Sequence, residues 1–141
     1  MKASVTRRYR FSASHRLHTR VLSDAENDEV FGKCNNPYGH GHNYEIAVTV
    51  HGEVDTKTGL VVIPHLLDEY VTTKVVNRFS NRNINLDIAE FRDLVPTTEN
   101  LTIVIARLLN RGWSLFFGPR GPVLSGLQIQ ETPRNSFELS L

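Results

Sequence analysis

Apolar and polar residues alternate over residues 4–16 and again over 43–54, where Tyr44, Ile46, Val48 and Val50 share one face, so both stretches predict β-strands. After the turn Asp55-Thr56-Lys57-Thr58-Gly59, the run Leu60-Val61-Val62-Ile63 predicts a hairpin partner or a continuation of the strand. Beyond Pro64 the period changes. Leu67, Val71, Val75 and Phe79 recur every four residues as the apolar face of a helix, which the polar stretch Ser80–Asn85 ends. A second helix is expected from Thr97, whose hydroxyl can cap free backbone N–H groups while Glu99 places negative charge at the positive end of the helix dipole. It runs through Leu101, Ile105, Leu108 and Leu109 and stops at Gly112. Past the loop Gly118–Pro122, Leu127, Ile129 and Glu131 share one face of a strand, and Phe137, Leu139 and Leu141 one face of another. Two strands, two helices and two strands predict an α+β domain spanning residues 1–141, an antiparallel four-stranded sheet with a helix pair on one face. Its free edges favour pairing between subunits, so an oligomer closing the sheets into a larger barrel is expected. Residues 17–39 form a long polar excursion without obvious structure, and connections of that length usually carry function.

Composition narrows the class. With 40% hydrophobic and 22% charged residues the chain is that of an ordinary globular protein, and no apolar run approaches the length of a membrane span. A basic start without an apolar core is no secretory signal, so the compartment is read as cytoplasmic. The net charge of +1 argues against nucleic-acid binding. Charge is uneven locally: Arg7, Arg8, Arg10, Arg16 and Arg20 precede Asp24, Glu26, Asp28 and Glu29. These arginines either form a solvated strand edge or face an anionic substrate group.

The candidate chemistry centres on Cys34-Asn35-Asn36-Pro37-Tyr38-Gly39-His40-Gly41-His42-Asn43. Residues two apart in a strand point to the same side, so His40 and His42, separated by a small glycine, make a natural chelating pair. His15 lies in a neighbouring strand-like stretch. Three neutral imidazoles would bind zinc with one position open, as catalytic sites require, whereas His18, His51 and His65 lack partners at metal spacing. No acid lies within the motif, so the ion would remain a strong Lewis acid. The single cysteine, Cys34, cannot form an internal disulfide. It is a fourth structural ligand, a small buried side chain, or a thiolate, made acidic by a nearby cation, that acts as general base or nucleophile. Glu131, at the end of an apolar strand face, is either a surface group or a carboxylate at the core margin awaiting a partner. An aminopyrimidine ring, with two adjacent N–H donors, would pair with it in a bidentate manner.

Phe11-Ser12-Ala13-Ser14-His15-Arg16-Leu17, Phe31–Tyr44, Pro96-Thr97-Thr98-Glu99-Asn100 and Gln130-Glu131-Thr132 together resemble the family of 6-pyruvoyl-tetrahydropterin synthase and its bacterial relative 6-carboxy-tetrahydropterin synthase. The resemblance implies the tunnelling fold, a hexamer of two stacked trimers, and active sites at subunit interfaces. It implies zinc on His15, His40 and His42, Cys34 as the proton-abstracting thiolate, and Glu131 anchoring the pterin ring with Thr97, Thr98 and Glu99 nearby. The implied substrate is 7,8-dihydroneopterin triphosphate, its triphosphate leaving by elimination, with Arg8, Arg10 or Arg16 receiving it. In one place the chain departs from the pattern. Where the family usually has an Asp-His pair after the first helix, this chain has Ser80-Asn81. Asn81 can hydrogen-bond substrate, but neither residue titrates near neutral pH, which leaves two readings: a zinc-dependent lyase, or a pterin-binding paralogue with impaired catalysis.

Overall fold

The computed structural model describes residues 1–141. Strand β1 (Lys2–His15) buries its odd-numbered side from Phe11 onward and pairs antiparallel with β2 (His40–Glu53) along its whole length. β2 pairs with β4 (Val123–Thr132), and β4 with β5 (Asn135–Ser140), both antiparallel. A fifth strand corrects the expected sheet. β3 (Arg82–Asn83) runs parallel to β1, giving a mixed five-stranded sheet of order β3-β1-β2-β4-β5. Two residues are too few to show a period, and the pairing is set up by Asn81, whose left-handed backbone (φ 59°) lets its N–H donate to Ser12 O at 2.6 Å.

The excursion 17–39 is structured as well. It contains α1 (Asp24–Phe31), opened by Ser23 and Glu26, which each accept the other's backbone N–H, and a 3₁₀ turn over Gly32–Asn35. Asn27, fully buried, ties this loop down by donating to the carbonyls of Thr19, Leu22 and Ser23 and accepting from Thr19 N. Neither the hairpin nor the strand continuation expected at Leu60–Ile63 forms. Asp55 closes its turn by accepting from the N–H groups of Lys57 and Thr58, but the chain then crosses to the helical layer and buries Val62.

Helix α2 (Pro64–Val71) starts with proline in its first turn, continues through a π-helical turn (Thr72–Val76) and ends as α3 (Asn77–Phe79). Its stripe Leu67, Val71, Val75 and Phe79 is fully buried, as the four-residue spacing predicts. A short α4 (Ile84–Asp87) leads to α5 (Thr98–Asn110), where Thr97 Oγ1 accepts from Asn100 N at 3.1 Å, and then to α6 (Trp113–Phe117). The two long helices enclose the core against Phe11, Tyr44, Ile46, Val48, Leu127 and Ile129. On the helix-facing side Arg7 binds Asp68 through Nε (2.7 Å) and Nη2 (2.8 Å), and Tyr9 donates to the same carboxylate. No helix is long and apolar enough to cross a membrane.

Candidate functional site

Antiparallel order brings the end of β1, the start of β2, the end of β4 and the start of β5 to one edge of the sheet. The register sets His15 opposite His40 and Ala13 opposite His42, so all three imidazoles project on the core-facing side, just past Phe11 and Tyr44. His40 Nε2 and His42 Nε2 each lie 3.1 Å from His15 Nε2, and one ligand atom from each ring falls within 4.8 Å of the others. This arrangement could hold a metal ion. His15 Nδ1 lies 2.9 Å from the carbonyl of Pro96, which can only accept, so Nδ1 carries the proton and Nε2 presents its lone pair to the cluster. Tyr44 Oη, buried, stands 3.2 Å from the same Nδ1. Three neutral nitrogens converging in this way fit a divalent ion such as zinc.

Burial pushes the His15 pKa down to about 4, against the opposing influence of Pro96 O and Glu131, and lowers that of His42 for the same reason. Burial disfavours the charged ring only in the folded state. The metal-free protein therefore keeps the full contribution of neutral His15 above the ordinary histidine value of 6.5 and loses that contribution as pH falls towards 4. A loss of about 3 kcal/mol is expected across that window. Denaturant titration of the metal-free protein at pH 7.5 and pH 4.5, with His15→Asn as the control that flattens the difference, measures it.

The glycine that the geometry requires is Gly39. It has φ +72°, and a Cβ there would stand 3.0 Å from His15 O, whereas a Cβ on Gly41, between the two histidines, would meet only ordinary contact. Cys34 sits in the 3₁₀ turn, partly buried, its carbonyl accepting from Leu17 N at 2.8 Å just beyond β1. Burial, and then the Glu131 carboxylate, push its thiol pKa up.

The sequence shows no acid near the histidines, but the fold supplies one. Glu131 follows Gln130, which pairs with Glu45 at the end of the β2–β4 ladder, and its Oε1 stands 3.7 Å from His42 Nε2 and its Oε2 3.9 Å from His15 Nε2. It occupies a bulge: Gln130 pairs with Ser136 and Thr132 with Asn135, so Glu131 has no partner in the ladder. The two-residue turn Pro133-Arg134 explains the bulge. Proline cannot adopt the positive φ of the primed turns that match strand twist, so the irregularity moves into the strand. Thr98, buried in the first turn of α5, donates its hydroxyl to Glu131 Oε2 at 3.0 Å and accepts from Asn135 Nδ2 at 3.1 Å.

The remaining expected residues divide between site and scaffold. Thr97 is spent on the helix cap, and Glu99 is exposed on the same turn. Asn81 lines an open groove of about 610 Å³ with Ser12, Ser14, His42, Asn43 and Arg82. His65 is exposed beside Asp68, next to Arg7, away from the triad end of β1. Arg8 and Arg10 reach Glu45 on the polar sheet face at 3.4 and 3.2 Å, while Arg16 Nε donates to Asn35 O. Arg16 also lines a cavity of about 640 Å³ with Arg20, Arg92 and His18. Sequence periodicity does not find Asn135; the signal would have been its place directly after a proline-containing two-residue turn.

The family model for 6-pyruvoyl tetrahydropterin synthase matches residues 4–140. The chain is 49% identical over 104 residues to human 6-pyruvoyl tetrahydrobiopterin synthase, covering 74% of this chain and 72% of that protein. It is 44% identical over 135 residues to the Drosophila melanogaster protein of the same name, covering 94% and 76%. The structure of Caenorhabditis elegans 6-pyruvoyl tetrahydropterin synthase superposes with a TM-score of 0.88 at 38% identity, covering 99% of this chain and 96% of that one. The histidine triad at the sheet's end, the five-stranded fold around it and these matches agree: the chain belongs to the 6-pyruvoyl tetrahydropterin synthase family.

Proposed function

We propose that the protein is a zinc-dependent lyase acting on the side chain of 7,8-dihydroneopterin triphosphate, as 6-pyruvoyl- or 6-carboxy-tetrahydropterin synthases do. The observation that carries this reading is the meeting of two chemistries at one sheet edge: three imidazole nitrogens and, within 3.7–3.9 Å of two of them, a carboxylate with an unpaired oxygen. His15, His40 and His42 would hold the ion. When bound, zinc supplies Lewis acidity to the substrate's side-chain hydroxyls and so acidifies the attached C–H groups. Glu131 accepts two N–H groups from the aminopyrimidine edge of the ring, which fixes the side chain towards the histidines. Thr98 steadies that carboxylate. Cys34 exchanges the substrate proton at Sγ; burial and Glu131 hold the proton on the thiol until positive charge stands beside it. Arg16 receives the triphosphate, because it faces a cavity shared with Arg20 and Arg92 whereas Arg8 and Arg10 are paired to Glu45.

The same reading makes the protein a single-domain cytoplasmic homo-hexamer of two trimers. Val21, Tyr38 and Leu86, all largely exposed around the arginine-lined cavity, are apolar surface suited to a neighbouring subunit. A second reading, a pterin-binding paralogue with little turnover, is favoured by one feature: Asn81 stands where a titrating histidine is usual, and Ser80 where its aspartate is.

Zinc-loaded protein incubated with 7,8-dihydroneopterin triphosphate separates the two. Triphosphate release and pterin products are expected above the Cys34→Ala background; equality with that background rejects the lyase and leaves the paralogue. If the relay is what limits the rate, Ser80→Asp combined with Asn81→His raises turnover by about 10²-fold or more, read in the same assay.

A further inference from the structure

A relay of two hydrogen bonds runs from Asn135 through Thr98 to the Glu131 carboxylate, and its polarity is forced by chemistry. A carboxylate oxygen only accepts, so the Thr98 hydroxyl, 3.0 Å from Oε2, must spend its single proton there. The hydroxyl oxygen then has only lone pairs left, and the group 3.1 Å away on Asn135 must be its amide N–H₂. Thr98 cannot rotate freely, because it is 3% exposed in the first turn of α5, with Thr102 Oγ1 donating to its carbonyl. Asn135 is the first residue of β5 and pairs with Thr132, so the bulge that frees Glu131 from the ladder also sets Asn135 at the right height to reach across to α5.

We propose that Asn135 is a positioning residue for substrate: by donating to the Thr98 hydroxyl it keeps that proton on Glu131 Oε2 and so aims the carboxylate at the edge of the bound ring. The proposal rests on the reading of Glu131 as the ring anchor and adds a residue outside the motifs to it. With Asn135 in place the donor to Oε2 is unambiguous, and the carboxylate presents one orientation to a ligand with two parallel N–H groups. Aspartate at the same position has the same shape and the opposite effect. It offers no donor and competes with Glu131 for the Thr98 proton, so the isosteric change does more harm than removal of the side chain.

The test is the dissociation constant for 7,8-dihydroneopterin, by calorimetry at pH 8 on zinc-loaded protein, for Asn135→Ala, Asn135→Asp, Asn135→His and Glu131→Ala, with melting temperature and zinc affinity recorded for each. Asn135→Ala is expected to weaken binding about tenfold and Asn135→Asp about a hundredfold. Asn135→His, whose Nδ1–H stands near the place of the amide donor, recovers most of the loss. Melting temperature and zinc affinity stay at their wild-type values across the Asn135 series. Weakening by Glu131→Ala with no effect at Asn135, or an Asn135→Asp protein no worse than Asn135→Ala, overturns the positioning role alone. A silent Glu131→Ala overturns the ring anchor and the positioning role together. Losses that track the melting temperature assign Asn135 to the hairpin's stability instead.

Discussion

Glu131→Ala is expected to abolish protection of the protein by dihydropterins, with affinity falling by about 10²–10³-fold, the loss of a charge-assisted bidentate pair in a partly dry site. The carboxylate is only 10% exposed, and Thr98 is its single hydrogen-bond donor in the chain, so most of its accepting capacity awaits a ligand. Removing it also leaves the Thr98 hydroxyl without an acceptor, though a hydroxyl can turn to a neighbouring carbonyl or to water. Thermal shift with 7,8-dihydroneopterin measures the effect. An unchanged shift would remove Glu131 from the proposed pterin site and with it the proposed orientation of substrate. Zinc affinity of Glu131→Ala is the companion measurement, and it should hold, since three nitrogens remain.

The second large effect belongs to the triad. His40→Ala is expected to lower zinc affinity by well over a hundredfold, because losing even a hydrogen-bond partner of a metal ligand costs about 10–100-fold, and turnover should vanish with the ion. His15→Ala does the same and adds a structural cost. His15 is fully buried, and its removal orphans the carbonyl of Pro96 and the hydroxyl of Tyr44. The two variants therefore differ in a way that activity alone cannot show: with zinc absent, His40→Ala melts near the wild-type temperature and His15→Ala well below it. Competition against a chromogenic chelator gives the affinities. Normal zinc retention in His40→Ala would exclude the three-imidazole centre.

The triad was legible because its chemistry is local: two histidines at strand spacing and a third in an alternating stretch need only one register to meet, and the full-length pairing of β1 with β2 provides it. The buried helix stripe at Leu67, Val71, Val75 and Phe79 was legible for the same reason, even though a π-helical turn interrupts it. Contacts that depend on distant segments were hidden. Thr98 and Glu131 are 33 residues apart in sequence, and nothing in either segment names the other. Helix α1 escaped the periodicity because the one side chain it buries is Asn27; the Ser23-x-x-Glu26 capping pattern was the better signal. In the Asp55–Ile63 stretch, turn chemistry was read correctly and its outcome was not, because an apolar run of four after a turn serves a crossing into the helical layer as well as a strand.

The bulge at Glu131 makes the β4–β5 turn a length gauge. The turn pairs Thr132 with Asn135, while farther along Ile129 meets Phe137 and Leu127 meets Leu139, and the two registers differ by one residue. Glu131 is that residue. One residue added between Thr132 and Asn135 would let the outer register run through the turn, returning the acid to the ladder opposite the former Asn135 position while Leu139 stays packed against the core. Insertions and deletions at a surface turn are among the changes a fold tolerates best, so here a length change that leaves the core intact would retune the binding edge. The length of this turn and the proline within it thus act together on one coordinate, the height at which Glu131 stands relative to the histidines.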